Sequence, residues 1–567
     1  MSRPLDLVLL WHMHQPDYRD QASGEFAMPW VYLHAIKDYT DMAWHLEQHP
    51  GVRAVVNFVP VLLDQLEDYC SQFDSGELRD PLLRLLARSG AEPIGAADRA
   101  LVIERCFHAN HHRMIAPFPR YKHLHDMFVS LEAQGSELFA YLSDQYLDDL
   151  LTWYHLSWTG ESVRRSSEVV ARLMASGACF GAQDRQALYG TIAALVRDVI
   201  PRYRRLADSG RIELSTTPLC HPLAPLLLDF RCAHEADPAA LLPEMPCYPG
   251  GRARVSLHLD QAIESHERRF GARARGVWPA EGAVSTALIS LLDSRGVAWT
   301  ASSEAVLANS LRAHSAALPP RGDYLYRPWR LTGMPRTTCF FRDDHLSDLI
   351  GFEYAKWHGR DAAANFIGEL EKIAAGAGAA ETPVVSVILD GENAWEYYPY
   401  NGFYFLSALY ESLQSHPGIG TATYAGYLDR QAPQNTAPVG GLSALAAGSW
   451  VHGNLSTWIG SPDKNHAWDH LCAAKTSFDL VIQSGRLNAQ QMQAAYRQLA
   501  DCEGSDWFWW LGDYNPQQAV ASFETLFRTK LANLYRILSL PVPANLFVPI
   551  SRGRGEPEAG GAMRRAS

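Results

Sequence analysis

Short apolar runs alternate along the chain with longer stretches in which apolar residues recur every third or fourth position. The first run is residues 5–10 (LDLVLL), and residues 52–59, 211–215, 276–279, 298–300 and 384–389 repeat the pattern. Continuous apolar runs of this length read as buried strands. Residues 61–69 and 286–294, lying between them, have helical spacing. Buried strands alternating with helices predict parallel βα units, hence an α/β barrel or a doubly wound sheet. Several runs end in polar residues, the first in Trp11-His12-Met13-His14-Gln15-Pro16, as the carboxyl-end face of a barrel requires.

Two regions break the alternation. Residues from about 90 to 209 are charged and helical in pattern, and read as an insertion between two strands. Near residues 431–441 (QAPQNTAPVGG) the composition becomes loop-like and marks a boundary. Residues 443–540 are again helical in pattern. The expected organisation is a catalytic unit over 1–430 carrying the insertion, a helical unit over 431–550, and a disordered tail rich in Gly, Arg and Ala over 551–567.

Composition narrows the partners. With 47% hydrophobic residues the bulk of the chain is not disordered. A formal net charge of −12 argues against nucleic acid or an anionic membrane as the main partner. The cysteine count is odd, nine, and no CxxC occurs, which fits a reducing compartment better than a disulfide framework. No leader-like apolar segment and no long uncharged apolar stretch is present, so a soluble, cytoplasmic protein is expected. The 16 Trp, 24 Tyr and 22 His are unusual. Most would fill cores, but their clustering points to stacking on the apolar faces of sugars or bases.

Two acids stand at the ends of predicted strands. Glu281 lies in Trp278-Pro279-Ala280-Glu281-Gly282 and Asp390 in Asp390-Gly391-Glu392-Asn393. In a barrel such ends point into one cavity, and two carboxyl groups in one cavity are the minimum equipment for glycoside hydrolysis. Either could instead cap the following helix. His12 and His14, alternate residues on an extended segment, are expected to face opposite ways, which weighs against a joint metal site. Arg342-Asp343-Asp344-His345 is a charged run after an apolar one, and is either a solvated face or a ligand contact. His108, His111, His112, His123 and His125 read as a solvated helix face, with no HExxH spacing.

Five blocks in order carry a family resemblance: His12-Met13-His14-Gln15-Pro16; Gly210-Arg211-Ile212-Glu213-Leu214 running on to His221-Pro222; Trp278-Pro279-Ala280-Glu281-Gly282; Leu389-Asp390-Gly391-Glu392-Asn393; and the stretch from Trp450 to Trp468. Together they resemble glycoside hydrolase family 57, retaining enzymes acting on α-glucans, over nearly the whole chain. The block from Gly504 to Asp513 looks like the amylase and amylopullulanase branch. The resemblance implies a distorted (β/α)7-type barrel and a C-terminal helical bundle that completes the cleft. It places the nucleophile on Glu281 and the acid/base on Asp390, with carboxyl groups about 5–5.5 Å apart. His12, His14 and His221 are then candidates for sugar hydroxyl contacts, Glu213 for orienting a histidine or a sugar, and Arg342, Asp344 and His345 for lining the same pocket. Trp278, Trp450, Trp458 and Trp507 are candidate stacking platforms. The implied partner is an α-glucan oligo- or polysaccharide, with α-1,4 and possibly α-1,6 linkages, and no cofactor or metal is expected. A 4-α-glucanotransferase or branching enzyme is the alternative within this class. A metal-dependent polysaccharide deacetylase or a non-catalytic glucan-binding protein is the alternative outside it.

Overall fold

In the computed structural model, which describes residues 4–90, 93–313, 317–376, 382–431, 439–512, 514–553 and 555, seven parallel strands close into a barrel. They are β1 (Leu5–Met13), β2 (Ala54–Phe58), β3 (Ile212–Thr216), β4 (Gly276–Val277), β5 (Trp299–Ser303), β6 (Thr338–Arg342) and β7 (Val384–Asp390). Each pairs with the next, and β7 pairs with β1 from Asp6↔Val384 to His12↔Asp390. The β6–β7 joint rests on Arg342 opposite Ser386.

The alternation of side chains explains how the strands deliver a site. Leu7, Leu9, Trp11 and Met13 of β1 face outward into the core beneath the helices. Val8 and Leu10 face inward, with Val55, Trp299, Ala301, Phe340, Val384 and Ile388, and fill the barrel interior. A strand has period two, so the inward file of β1 continues to His12, that of β7 to Asp390, that of β6 to Arg342 and that of β2 to Asn57. The apolar filling therefore ends in polar residues at one end of the barrel. β1 runs past the apolar stretch that predicts it because its ladder to Asn57 and Asp390 continues through His12.

The insertion between β2 and β3 is helical, from α1 (Pro60–Ser75) through shorter helices to α2 (Ala182–Asp208). Helix α3 (Gly251–Phe270) leads towards β4. Beyond the barrel come α4 (Pro462–Gln483), α5 (Ala489–Cys502), the short α6 (Asp506–Trp510) and α7 (Gln517–Ile537). The expected boundary at 431–441 lies mostly outside the described residues, but Gly440–Leu442 is a short strand on Trp329–Leu331. Of the tail expected to be disordered, 554 and 556–567 lie outside the described residues. Its start is held: the Ser551 hydroxyl accepts from the Gly512 N–H, and Gly555 bridges Pro516. All nine cysteines are free thiols. No described helix is long and apolar enough to cross a membrane.

Candidate active site

A cavity of about 420 Å³ opens at the carboxyl ends of the strands. It is lined by His12 and His14 from the end of β1, His221 after β3, Glu281 after β4, Arg342 from β6, Asp390 from β7 and Asp506 from α6. Strand ends of a barrel and the loops beyond them are where such folds place reactive groups.

Glu281 sits on a strained turn. Its backbone is left-handed (φ 58°, ψ 22°), as is that of His221 (φ 56°). A non-glycine residue held there costs on the order of 1 kcal/mol and persists because its surroundings over-determine it. Gly282 continues the left-handed turn, and a Cβ there would come within 2.7 Å of the Trp278 ring. Trp450 grips Glu281 twice: its backbone N–H donates to the Glu281 carbonyl at 3.0 Å and its indole N–H to Oε2 at 3.1 Å. Oε1 lies 3.0 Å from the Ser505 hydroxyl.

Asp390 accepts from the Asn393 side-chain amide at 2.8 Å. Gly391 is required behind it, since a Cβ would fall 2.1 Å from Met13 Sδ. Glu392 points back under β1, where one oxygen accepts from the His14 N–H, the Gln15 amide and the Tyr39 hydroxyl. Arg342 donates to the Ile388 carbonyl, to Asp344 and to Asp348, which fixes its guanidinium 5.6 Å from the Trp450 ring centre.

The C-terminal helices close one wall. Asp501 to Asp506 descends into the mouth: Gly504 bridges Pro222, the Ser505 N–H donates to the His221 carbonyl, and both Asp506 oxygens lie 3.0 Å from His14 Nε2. Glu503 is bolted behind it by Arg254, His258 and Tyr248.

Burial and crowded negative charge shift the titrations. Glu281 is pushed up to about 8, first by burial and then by Asp506 and Asp390. Asp390 is pushed up to about 6, also by burial, against the pull of Asn393, His14 and Arg342. Glu392 is driven well above the glutamate range by burial and the Asp390 charge. Burial keeps His12 down to about 3 and His221 well below the histidine range, so both are neutral.

The structure brings seven sequence candidates or their partners to the cavity and leaves others outside it. His12, His14, His221, Glu281, Arg342, Asp390 and Trp450 line it. His12 and His14 do not face opposite ways: residues two apart on a strand share a face, and their rings stack at 5.8 Å. Glu213 lies deeper in the barrel, where it accepts from the Trp299 indole and the Ala425 N–H. Asp344 supports Arg342 from behind, and His345 is exposed. Trp278 is buried against Trp450, Trp458 against Trp509, and Trp507 against Phe527, so none of the three presents a face to the cavity. Asp513 lies outside the described residues. Sequence reasoning missed Ser505, which donates to Glu281 from behind the lining, and the lining residues Asp506, Glu392, His34 and the aromatic wall of Trp30, Trp158, Trp509 and Trp510. Gly504-Ser505-Asp506 ahead of the tryptophans was the available signal for the first two.

His14, His221 and Asp506 bring possible ligand atoms within 4.8 Å of one another. Their geometry does not suit a metal ion. His14 Nε2 already meets Asp506 and His221 Nδ1 meets Ser505, while the two rings stack at 3.7 Å and 19°, so their in-plane lone pairs run side by side rather than converge. The cluster is a hydrogen-bonding wall suited to hydroxyl groups.

The family model for glycosyl hydrolase family 57 matches residues 8–440. Among solved structures, a family 57 branching enzyme from Thermococcus kodakaraensis aligns with TM-score 0.56 and 15% identity, over 94% of this chain and 90% of that one. A branching enzyme of the same type from Pyrococcus horikoshii aligns with TM-score 0.57 and 17% identity, over 97% and 98%. An α-amylase from Thermotoga maritima gives TM-score 0.56 and 13% identity, over 94% and 93%. At these identities the likeness is one of fold. No curated protein matches the chain in sequence.

Proposed function

The chain belongs to glycoside hydrolase family 57, and from that premise we propose that it is a retaining enzyme cleaving α-1,4-glucans such as starch or glycogen by double displacement, with Glu281 as nucleophile and Asp390 as acid/base. The observation that carries the reading is that two carboxyl groups from the ends of β4 and β7 line one cavity and Asp390 raises the pKa of Glu281 through space. At the moment of reaction the pair holds one proton. In the first step a Glu281 carboxylate oxygen bonds to the anomeric carbon, the glycosidic C–O bond breaks, and the leaving oxygen takes the Asp390 proton. In the second, water adds to the anomeric carbon, its proton passes to Asp390, and Glu281 is released as carboxylate.

The neighbours have complementary tasks. Trp450 steadies Glu281 and shields it from solvent. The neutral imidazoles and Asp506 offer donors and acceptors to ring hydroxyls, where hydrogen bonds that strengthen in the transition state lower the barrier. Arg342, pinned by three acceptors, helps keep Asp390 from drifting further up in pKa. The nine free thiols favour a reducing, cytoplasmic setting.

The test is Glu281→Gln assayed on maltoheptaose. Turnover is expected to fall at least a thousandfold with the fold intact by circular dichroism; retained turnover removes Glu281 as nucleophile. Products of the unaltered enzyme decide the finer activity. Shorter sugars alone mean hydrolysis, whereas longer or branched ones mean glucan transfer by attack of a sugar hydroxyl in place of water.

A further inference from the structure

Five tyrosine and tryptophan side chains are exposed among the described residues, and three of them, Trp357, Tyr400 and Tyr404, stand together outside the cavity. The topology puts them at its mouth. Tyr404 is in the first turn of the helix Phe403–Ser415, which follows the end of β7 and leads to Ile419, opposite Leu5 at the start of β1. Trp357 directly precedes the helix Gly359–Gly376, which lies between the end of β6 and the start of β7. Both helices therefore begin at the carboxyl ends of the strands and run away from the cavity. They pack side by side, and a Cβ on Gly359 would fall 2.8 Å from the Phe405 nitrogen. The Tyr400 and Tyr404 rings meet edge to face at 5.3 Å. Phe352 and Glu396, which precede Trp357 and Tyr400, both line the cavity, so the aromatic ledge continues its wall. The stretch of chain from Glu396 to Tyr400 spans at most about 14 Å.

The exposure of Tyr400 is enforced. Tyr400, Asn401 and Gly402 are successive left-handed residues, with φ of 53°, 54° and 72°. Asn401 is buried, and its side-chain amide donates to Asp41 at 2.8 Å. A Cβ on Gly402 would fall 2.7 Å from the Trp395 ring. The interior thus fixes the turn, and its outward product is the Tyr400 ring. A bulky side chain in this conformation is rare, and such strain concentrates where ligands are held.

We propose that Trp357, Tyr400 and Tyr404 form a second α-glucan-binding surface outside the cavity, which holds the part of a long polymer that runs out of the site; the proposal rests on the reading of the chain as a glucan-active enzyme. The rings offer apolar faces to the C–H faces of sugars, and the two phenols add polar edges for hydroxyl groups. Arg165 donates to the Tyr404 hydroxyl at 3.0 Å and lies 4.3 Å from the Phe403 ring centre, which steadies the ledge. Arg165 is paired with Glu161, and Lys356 beside Trp357 with Glu353, so these cations are matched and the surface suits an uncharged polymer rather than a polyanion. A polymer held here is tethered beside the carboxyl pair, which raises its effective concentration at the cavity without any contact to the reacting atoms.

Binding is measured in the full chain carrying Glu281→Gln, which leaves the polymer intact, by retardation in gels containing glycogen and by calorimetry with maltotriose. Adding Tyr400→Ala or Trp357→Ala is expected to weaken glycogen binding about tenfold and to leave maltotriose affinity unchanged. Tyr400→Phe keeps the ring and is expected to keep glycogen binding; a phenylalanine variant that fails like alanine assigns the effect to the turn and overturns the proposal. Trp357 lies outside the strained turn, so its variant decides the matter if Tyr400→Ala does not fold. Unchanged glycogen retardation in the alanine variants overturns the ledge and leaves the enzyme reading standing. An equal loss for maltotriose assigns the rings to the shape of the cavity, and a change in oligomeric state assigns the face to contact between copies of the chain; either overturns the proposal. If the Glu281→Gln protein itself binds neither sugar, the glucan reading falls together with the ledge.

Discussion

Glu503→Gln should damage both stability and catalysis, although residue 503 touches no part of the cavity. Glu503 is fully buried and receives a two-pronged contact from Arg254, at 2.8 and 2.7 Å, with His258 at 2.7 Å on the same oxygen as the second prong. Its carboxyl is held far below the glutamate range despite the burial, chiefly by the Arg254 charge. With charge centres about 4 Å apart and an effective dielectric near 20, the attraction is about 4 kcal/mol. Glutamine removes it and leaves Arg254 buried without its counter-charge, which agrees with the roughly 3–5 kcal/mol lost when one partner of a buried pair is removed. Urea unfolding at pH 7 measures the loss. Arg254→Met combined with Glu503→Gln should lose less than the sum of the single changes. Because Gly504, Ser505 and Asp506 follow directly, kcat on maltoheptaose should also fall about a hundredfold, the usual cost of small displacements in a preorganised site. The sign with pH is fixed: the folded-state pKa is depressed, so the stabilisation is present above the ordinary glutamate range and is lost as pH falls below it. A stability loss under about 1 kcal/mol with kcat unchanged would refute the idea that this buried pair holds the closing segment in place.

Three further outcomes are expected. The rate should be bell-shaped in pH, rising through about 6 and falling through about 8: below the first value both carboxyl groups are protonated and no nucleophile exists, and above the second both are ionised and no acid exists. A profile flat across that window contradicts the pair. Asp390→Asn should lose far more on maltooligosaccharides than on aryl glycosides with activated leaving groups, and equal losses on both would contradict its acid/base role. Glu281→Gln should melt at a higher temperature than the unaltered protein at pH 9. The native Glu281 pKa near 8 lies above the unfolded value of 4.5, so folding is penalised as pH rises between them, and glutamine removes the penalty; a calorimetric scan showing no gain, or a gain that does not grow with pH, counts against the burial argument.

The barrel was legible because its signal is local. Apolar runs such as residues 384–389, followed by an acid, mark a strand and its functional end within one short window, and period two then carries Ile388 to Asp390. The choice between closed barrel and open sheet was not legible, because it depends on the pairing of β7 with β1, which hundreds of residues separate. The tryptophans misled for a related reason. Trp278 and Trp458 sit in polar, motif-like surroundings, yet a ring of that size is also an efficient filler, and both are buried, Trp278 beneath the strained Glu281–Gly282 turn and Trp458 against Trp509. Glu213 shows the limit of reading a strand by composition alone. Its alternation points it into the barrel, but whether an inward acid lies at the mouth or deeper depends on its height along the axis, and its bonds to Trp299 and Ala425 place it below the site. Ser505 and Asp506 escaped because their partners, Glu281 and His14, lie just beyond strands hundreds of residues earlier in the chain.

The His14–Asp506 contact joins residues 492 positions apart. A ribosome can therefore finish the whole barrel, with Glu281 and Asp390 already at its rim, before the residues that complete the cavity wall exist. The Ser505 hydroxyl and the Asp506 carboxylate come from a segment that follows all seven barrel strands in the chain, so the mouth of the cavity is complete only once that segment has docked.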